Sequence, residues 1–357
     1  MYDYLVVGSG LFGSIFAREM TQTGHKVLIV DKRKQCGGNV YTNSEKTHLF
    51  GPHLFHTKNE KIWRYITQFS TFNHYQHRVK AIYDGKMYSL PFNMNTFNQL
   101  WGCITPKDAK RELEKRLVKI DNPQSIEELA LATVGEEIYH KLIYGYTKKQ
   151  WQRHPKDLPA TILSRIPIRF TYDDNYFDDP FQGVPHNGYS DLIQNIIGDI
   201  DVKLETDFFD LNWKNIANKL VFSGPIDRYY NYEFGELEYR SLEFKHETHP
   251  GNYQGIGQLN HTNESTPFTR SVEHNHFYFE NKESSTITFE YPTEWDKNKE
   301  PYYPINDMKN NEVYAKYRSK AKQEIDVIFG GRLGNYKYWD MDQTAANALA
   351  LAKKELK

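Results

Sequence analysis

The stretch Tyr4-Leu5-Val6-Val7-Gly8-Ser9-Gly10-Leu11-Phe12-Gly13, continued by Lys26-Val27-Leu28-Ile29-Val30-Asp31, decides the fold. A short apolar run precedes a glycine-rich turn; a helical pattern over Leu11 to Gln22 is closed by Gly24; a second apolar run ends in an acid. That is the order of a nucleotide-binding strand-turn-helix-strand unit. Gly8 permits the tight turn, Gly10 lets a diphosphate approach the backbone, and Gly13 lets the helix lie close on the strand. The helix N-terminus favours phosphate charge, and Asp31 is placed to accept from ribose hydroxyls.

The residues that follow narrow the ligand. Lys32-Arg33 and the doublet Gly37-Gly38-Asn39 come directly after the acid, an extension that resembles the flavoprotein class containing the amine oxidases. The resemblance implies FAD, with Phe12, Lys32, Arg33, Gly38 and Asn39 joining Gly8, Gly10, Gly13 and Asp31 as cofactor contacts. Gly330-Gly331-Arg332-Leu333, before a C-terminal Ala-rich helix capped by Asp340, is the expected second contact, near the flavin ring. A helix N-terminus there would stabilise negative charge on reduced flavin.

Further along, strands are expected near Ala81 to Tyr88, Asp201 to Thr206, through 220–294 and at Asp326 to Phe329. Helices are expected at Lys107 to Val118 and Ser125 to Leu142, with Pro155, Pro159 and Pro167 breaking regularity between the blocks. The predicted fold is α/β. A discontinuous Rossmann-like FAD domain (1–80, 190–225, 320–357) carries a helical insertion (93–165) and an antiparallel β-sheet domain (81–92, 166–189, 226–319).

Composition excludes several classes. With 25% charged and 39% hydrophobic residues the chain is an ordinary globular protein, and a net charge of −1 offers no basic field for nucleic acid. No apolar run is long enough for a membrane span, and the start lacks a secretory pattern, so a cytoplasmic location is expected. Two cysteines make neither a disulfide framework nor a thiolate cluster. His53/His56 and His74/His77 form two His-x-x-His pairs, but no acid or Cys completes either at ligand spacing, so no metal is expected. Aromatics reach 15%, a content suited to stacking a base and donating hydroxyls to a sugar or phosphate.

Several motifs then occur together: Gly51-Pro52-His53-Leu54-Phe55-His56-Thr57, Leu90-Pro91-Phe92-Asn93-Met94-Asn95, Gly145-Tyr146-Thr147-Lys148-Lys149-Gln150-Trp151, Arg165-Ile166-Pro167-Ile168-Arg169-Phe170, Pro301-Tyr302-Tyr303-Pro304 and Tyr336-Lys337-Tyr338-Trp339-Asp340. In this order, from residue 1 to about 350, they resemble the bacterial UDP-galactopyranose mutases. The resemblance implies a redox-neutral use of flavin, in which reduced FAD acts through N5 as nucleophile at the anomeric carbon and UDP leaves and returns. UDP-galactopyranose and UDP-galactofuranose, or close UDP-hexose analogues, would be interconverted for cell-surface polysaccharide such as capsule. A homodimer and an external reductant such as NAD(P)H are implied with it.

By the same matching positions, Arg169 and Arg270 correspond to the two diphosphate-binding arginines, whose guanidinium forks suit phosphate oxygens. Tyr146 takes the uracil-stacking position, Trp151 lies on the lid beside the sugar, and Tyr303, Tyr338 and Asp340 surround the diphosphate and sugar. His53 and His56 stand beside the flavin, where His56 is a catalytic candidate with Arg169 and Arg270; Arg332, Asp340 and Met341 complete the cofactor set. Three departures stand out. The Asn43–His48 loop is short, Phe181 replaces a tyrosine expected to reach the diphosphate, and His77 replaces an asparagine expected at the sugar. A larger side chain at the sugar changes which hexose fits. The alternative reading is an amine-oxidase-like flavin oxidoreductase sharing the N-terminal unit; another is a nucleotide-sugar scaffold protein that keeps FAD structurally.

Overall fold

Runs such as Val27-Leu28-Ile29-Val30, buried at every position, have no polar face to show to water, and they form the strands of a parallel sheet covered on both sides. In the computed structural model, which describes residues 1–160, 163 and 168–357, the order in this sheet is Val327–Phe329, Ala217–Phe222, Tyr2–Val7, Val27–Val30 and Asp201–Lys203. All four pairings are parallel, with Val6 opposite both Ile29 and Val221. Helix Leu11–Gln22 spans the residues its pattern predicts and packs against Met341–Glu355 and Tyr189–Ile197. Leu5, Leu28, Leu220, Phe222 and Val327 form one core on the sheet.

The chain divides into two compact units. The first is Met1–Tyr75, Asp179–Arg240 and Lys297–Lys357; the second is Gln76–Asp178 and Ser241–Asp296. Residues 226–240 and 297–319, expected in the β domain, therefore belong to the nucleotide-binding unit. They include an unanticipated helix, Met308–Ala321, whose N-cap Asp307 accepts from Asn310 N. Its buried positions are few, so its hydrophobic periodicity is faint in the sequence.

Within the second unit, the helical insertion and the sheet share one body. The single strand expected over Ala81 to Tyr88 is a hairpin, Val79–Tyr83 with Lys86–Leu90. Asp84 and Gly85 between them both take positive φ (48° and 72°), the geometry a two-residue hairpin turn demands. Lys86–Leu90, Val79–Tyr83, Gln258–His261, Arg270–Glu273, Ser284–Glu294 and the second-unit part of Tyr239–Pro250 follow in that order. The sheet is mixed, since Gln258–His261 runs parallel to Val79–Tyr83. The helix expected over Ser125 to Leu142 is divided into Ile126–Thr133 and Gly135–Ile138. A π-helical turn, Tyr139–Tyr144, then leads into Gly145–Trp151. Val79, Phe92, Phe97, Ile138 and Tyr139 belong to one core that joins the hairpin to these helices.

Candidate active site

In the first unit the two glycine signatures lie against each other. Gly10 bridges Gly37, and Gly37 N donates to Ser9 O at 3.0 Å. A Cβ on Gly38 would stand 3.0 Å from the Gly10 Cα, and one on Gly13 would stand 1.9 Å from the Gly8 carbonyl oxygen. The backbone is thus as bare as the sequence predicts, and no side chain caps the N-terminus of helix Leu11–Gln22. Its first amides are left for an anion. Asp31 ties the loops together, with Oδ2 accepting from Ser9 N (2.8 Å) and Ser9 Oγ (2.6 Å) and Oδ1 from Arg33 N (2.9 Å). A carboxylate has about four acceptor sites, so one remains for a ribose hydroxyl. These features fit a dinucleotide.

Phe12 lies beneath a neighbouring turn. Its ring is buried, and a Cβ on Gly330 would fall 1.8 Å from its Cζ, so the ring packs beneath the Gly330–Gly331 turn. Arg33 Nη2 donates to Asn39 Oδ1 at 2.9 Å, and the guanidinium lies 4.4 Å from the Phe50 ring centroid. Lys32 and Arg33 both pair with Glu300, a residue the sequence did not single out. Burial acts to raise the Glu300 carboxyl, but the two cations outweigh it and hold it below its ordinary range. Arg332, Tyr303 and Tyr338 lie together. Arg332 Nη2 donates to Tyr302 O (2.8 Å), its guanidinium sits 4.9 Å from the Tyr338 ring, and the two rings are 5.4 Å apart. Asp340 N donates to Gln343 Oε1 at 3.1 Å, opening the helix whose first residue is Met341.

His53 Nδ1 lies 2.8 Å from Gly51 O. His56, on strand Phe55–Thr57, places Nδ1 2.5 Å from Asp179 Oδ2, and both side chains are largely covered. A carboxylate accepts, so Nδ1 carries the proton. Asp179→Ala is expected to cost about 2 kcal/mol in thermal or urea unfolding, since a charge-assisted bond is lost and His56 is freed to turn. Phe181, at the position expected to reach the diphosphate, stacks on Trp63 (5.7 Å, 20°). Its place is set by aromatic packing.

In the second unit, Arg270 stands directly opposite Glu290 across the sheet, its Nε donating to Oε2 at 2.6 Å. Glu290 is fully buried; burial raises its carboxyl and Arg270 pulls it back. Arg169 N donates to Phe92 O (2.8 Å), and its guanidinium holds the Asn175 carbonyl and lies 3.7 Å from Asp173. Arg165 to Pro167 of the same motif lie outside the described residues. Tyr146 and Trp151 share the helix Gly145–Trp151. His77, expected at the sugar, is 4% exposed and packs among Tyr176, Phe177 and Phe277, so its imidazole is an interior group. Among the described residues no cluster of His, Cys, Asp or Glu could hold a metal ion, and no helix is long and apolar enough to cross a membrane.

Residues 141–338, more than half of the chain, match the family described as UDP-galactopyranose mutase. The chain belongs to the UDP-galactopyranose mutase family. Residues 6–69 match the NAD(P)-binding Rossmann-like domain. The chain is 40% identical, over 100% of its length and 99% of the relative's, to the dTDP-fucopyranose mutase of Escherichia coli. It is 41% identical to the probable UDP-galactopyranose mutase of Klebsiella pneumoniae, over 99% of this chain and 94% of that one. The crystal structure of a reduced UDP-galactopyranose mutase superimposes with a TM-score of 0.74 at 14% identity, covering 100% of this chain and 96% of that one, a likeness of fold. A putrescine oxidase variant shares the fold more distantly, with a TM-score of 0.58 at 11% identity over 99% of both chains. As a UDP-galactopyranose mutase family member the chain is an isomerase of the FAD-dependent nucleotide-sugar mutase class.

The residues that sequence reasoning did not select, Glu290, Glu300 and Asp179, all act on residues it did select. Each is joined to its partner only by the fold.

Proposed function

We propose that the protein interconverts the pyranose and furanose forms of UDP-galactose or a close nucleotide-hexose, with FAD in its reduced state. The full-length likeness at 40–41% identity to two mutases carries this reading. The paired glycine turns, Asp31 and the Arg33–Asn39 contact support FAD as the dinucleotide. Bound and reduced, FAD supplies through N5 the nucleophile for the anomeric carbon. Arg169 and Arg270 hold the diphosphate as it leaves and returns, keeping it in place for recapture by the other ring form. Tyr146 and Trp151 hold the base and sugar, and Tyr303, Tyr338 and Asp340 give hydrogen bonds around the diphosphate. His53 and His56 border the flavin, where His56, fixed by Asp179, keeps one nitrogen orientation.

The sugar has two candidates of equal support, since the two relatives of similar identity are named for different substrates, UDP-galactopyranose and dTDP-fucopyranose. The test is to incubate the FAD-loaded protein with each nucleotide sugar, with and without dithionite, and to look for a product of equal mass. Isomer formed only after reduction is expected, with one substrate preferred. Net oxidation of either sugar would replace this reading with the oxidoreductase one. The same reading brings a homodimer, an external reductant such as NAD(P)H and a cytoplasmic, polysaccharide-supplying role.

A further inference from the structure

Helix Gly145–Trp151 carries a second lysine that points inward. Lys149 Nζ donates to four backbone carbonyls, of His261 (2.8 Å), Asn263 (2.7 Å), Thr266 (2.9 Å) and Phe268 (3.0 Å). All four lie in or beside the loop joining strands Gln258–His261 and Arg270–Glu273. An ammonium has three protons, so four oxygens crowd one donor group and at least two share a proton. Four carbonyl dipoles aimed at one point repel each other and close only around a cation. Met would fill the space and leave four acceptors unserved; Arg would bring a flat fork too large for the ring they make.

A second contact brings the same loop to the same helix. Gly145, one turn before Lys149, lies under the loop so closely that a Cβ there would be 2.2 Å from Thr262 O. The exposed pair Lys148–Glu264 (2.6 Å) lies alongside. Beyond the loop, Thr269 N donates to Glu290 O at 2.9 Å, and the next residue is Arg270 with its side chain on Glu290. A continuous set of bonds therefore runs from the helix bearing Tyr146 and Trp151, through Lys149 and the loop, to Arg270.

We propose that Lys149 is a positioning residue for Arg270: it bolts the 262–269 loop to helix Gly145–Trp151, so that the groups reading the nucleotide and the arginine holding its diphosphate form one rigid body. The role of that body rests on the proposed function; the bolt itself does not. Burial draws the Lys149 ammonium down to about 8, which leaves it charged and able to serve the loop at neutral pH.

The test uses the FAD-loaded protein, with UDP as the probe. Lys149→Ala removes the atoms of n-propylammonium, which can be added back; n-propanol is the uncharged control. Hydrogen exchange in peptides covering 261–270 is expected to accelerate at least tenfold in the variant, and UDP affinity to fall by a similar factor with flavin content unchanged. n-Propylammonium restores both and n-propanol neither. Lys148→Ala, on the same helix, is expected to change UDP affinity less than twofold. Should Lys149→Ala fail to fold, Gly145→Ala decides, since it lifts Thr262 from the helix while keeping the lysine and is expected to weaken UDP binding in the same way. Unchanged exchange overturns the bolt, and faster exchange with unchanged UDP affinity overturns its link to Arg270. A wild-type protein that binds no UDP overturns the proposed function instead, leaving the exchange measurement to decide the bolt.

Discussion

On the proposed function, Arg270→Met is expected to lower turnover by on the order of 10²–10³ and stability by about 3 kcal/mol, because the side chain that pairs with Glu290 is also the one proposed to hold the diphosphate. Its Nε is the partner of the fully buried Glu290, whose Oε1 has no hydrogen bond. Removing the guanidinium leaves that carboxylate buried without its compensating cation. The stability cost is placed at the lower end of such losses because the Arg270 side chain keeps 20% of its surface in solvent. The effect has a defined pH dependence. Burial already raises Glu290 above its ordinary value, and without Arg270 it rises further. A raised carboxyl favours the protonated folded state, so its relative stability is fully present below the unfolded value and is lost as pH rises through the folded one. The deficit of the variant is therefore larger at pH 8 than at pH 5 in urea unfolding. Arg270→Met/Glu290→Gln should recover most of the stability at pH 8 and none of the turnover. A single variant as stable as the parent at pH 8 would show that the pair carries no such burden.

The second large effect is at Gly13. An alanine Cβ there would stand 1.9 Å from Gly8 O and 3.1 Å from Val6 Cγ1, and neither the peptide nor the central strand can give way. The helix must move out by about 1 Å, carrying its amides away from the diphosphate, at a cost of about 3 kcal/mol. Purified Gly13→Ala is expected to lose its visible flavin absorbance and to melt earlier. Gly10→Ala separates the two effects. A Cβ there meets the Gly38 Cα at 3.6 Å, an ordinary contact, and φ is −74°. Folding should survive while the closer approach needed by a diphosphate does not. Equal melting temperatures for the Gly13 variant and the parent would count against the clash.

These residues also show what a sequence discloses. The turn at Gly8 to Gly13 and helix Leu11–Gln22 were legible because each depends on neighbours in the chain: a φ of 100° at Gly8 and a close approach at Gly13 are local demands. The approach of Arg332 to Tyr303 and Tyr338 was not legible, because these residues are joined only by the fold. Glu290 and Lys149 were not legible at all. A buried acid reads as an exposed one until strand register places Arg270 opposite it, and four carbonyls around Lys149 belong to residues of any type. Hydrophobic patterns mark helices and strands, but which core they enter is settled by packing, as Val79 and Phe97 entering one core shows.

The strand order of the nucleotide-binding sheet bears on how the protein is made. Tyr2–Val7, at the sheet's centre, pairs with Ala217–Phe222, and Val327–Phe329 closes the edge. Helix Met341–Glu355 covers the glycine-turn helix from the far end of the chain. A nascent chain emerging from the ribosome thus presents its first glycine turn long before the strands that support it exist. The residues of the second unit end at Asp296 and so precede Val327–Phe329 in synthesis, while the N-terminal strand depends on contacts of great sequence separation. Cofactor capture is therefore expected to come late in synthesis, and added flavin during expression is expected to raise the yield of finished protein.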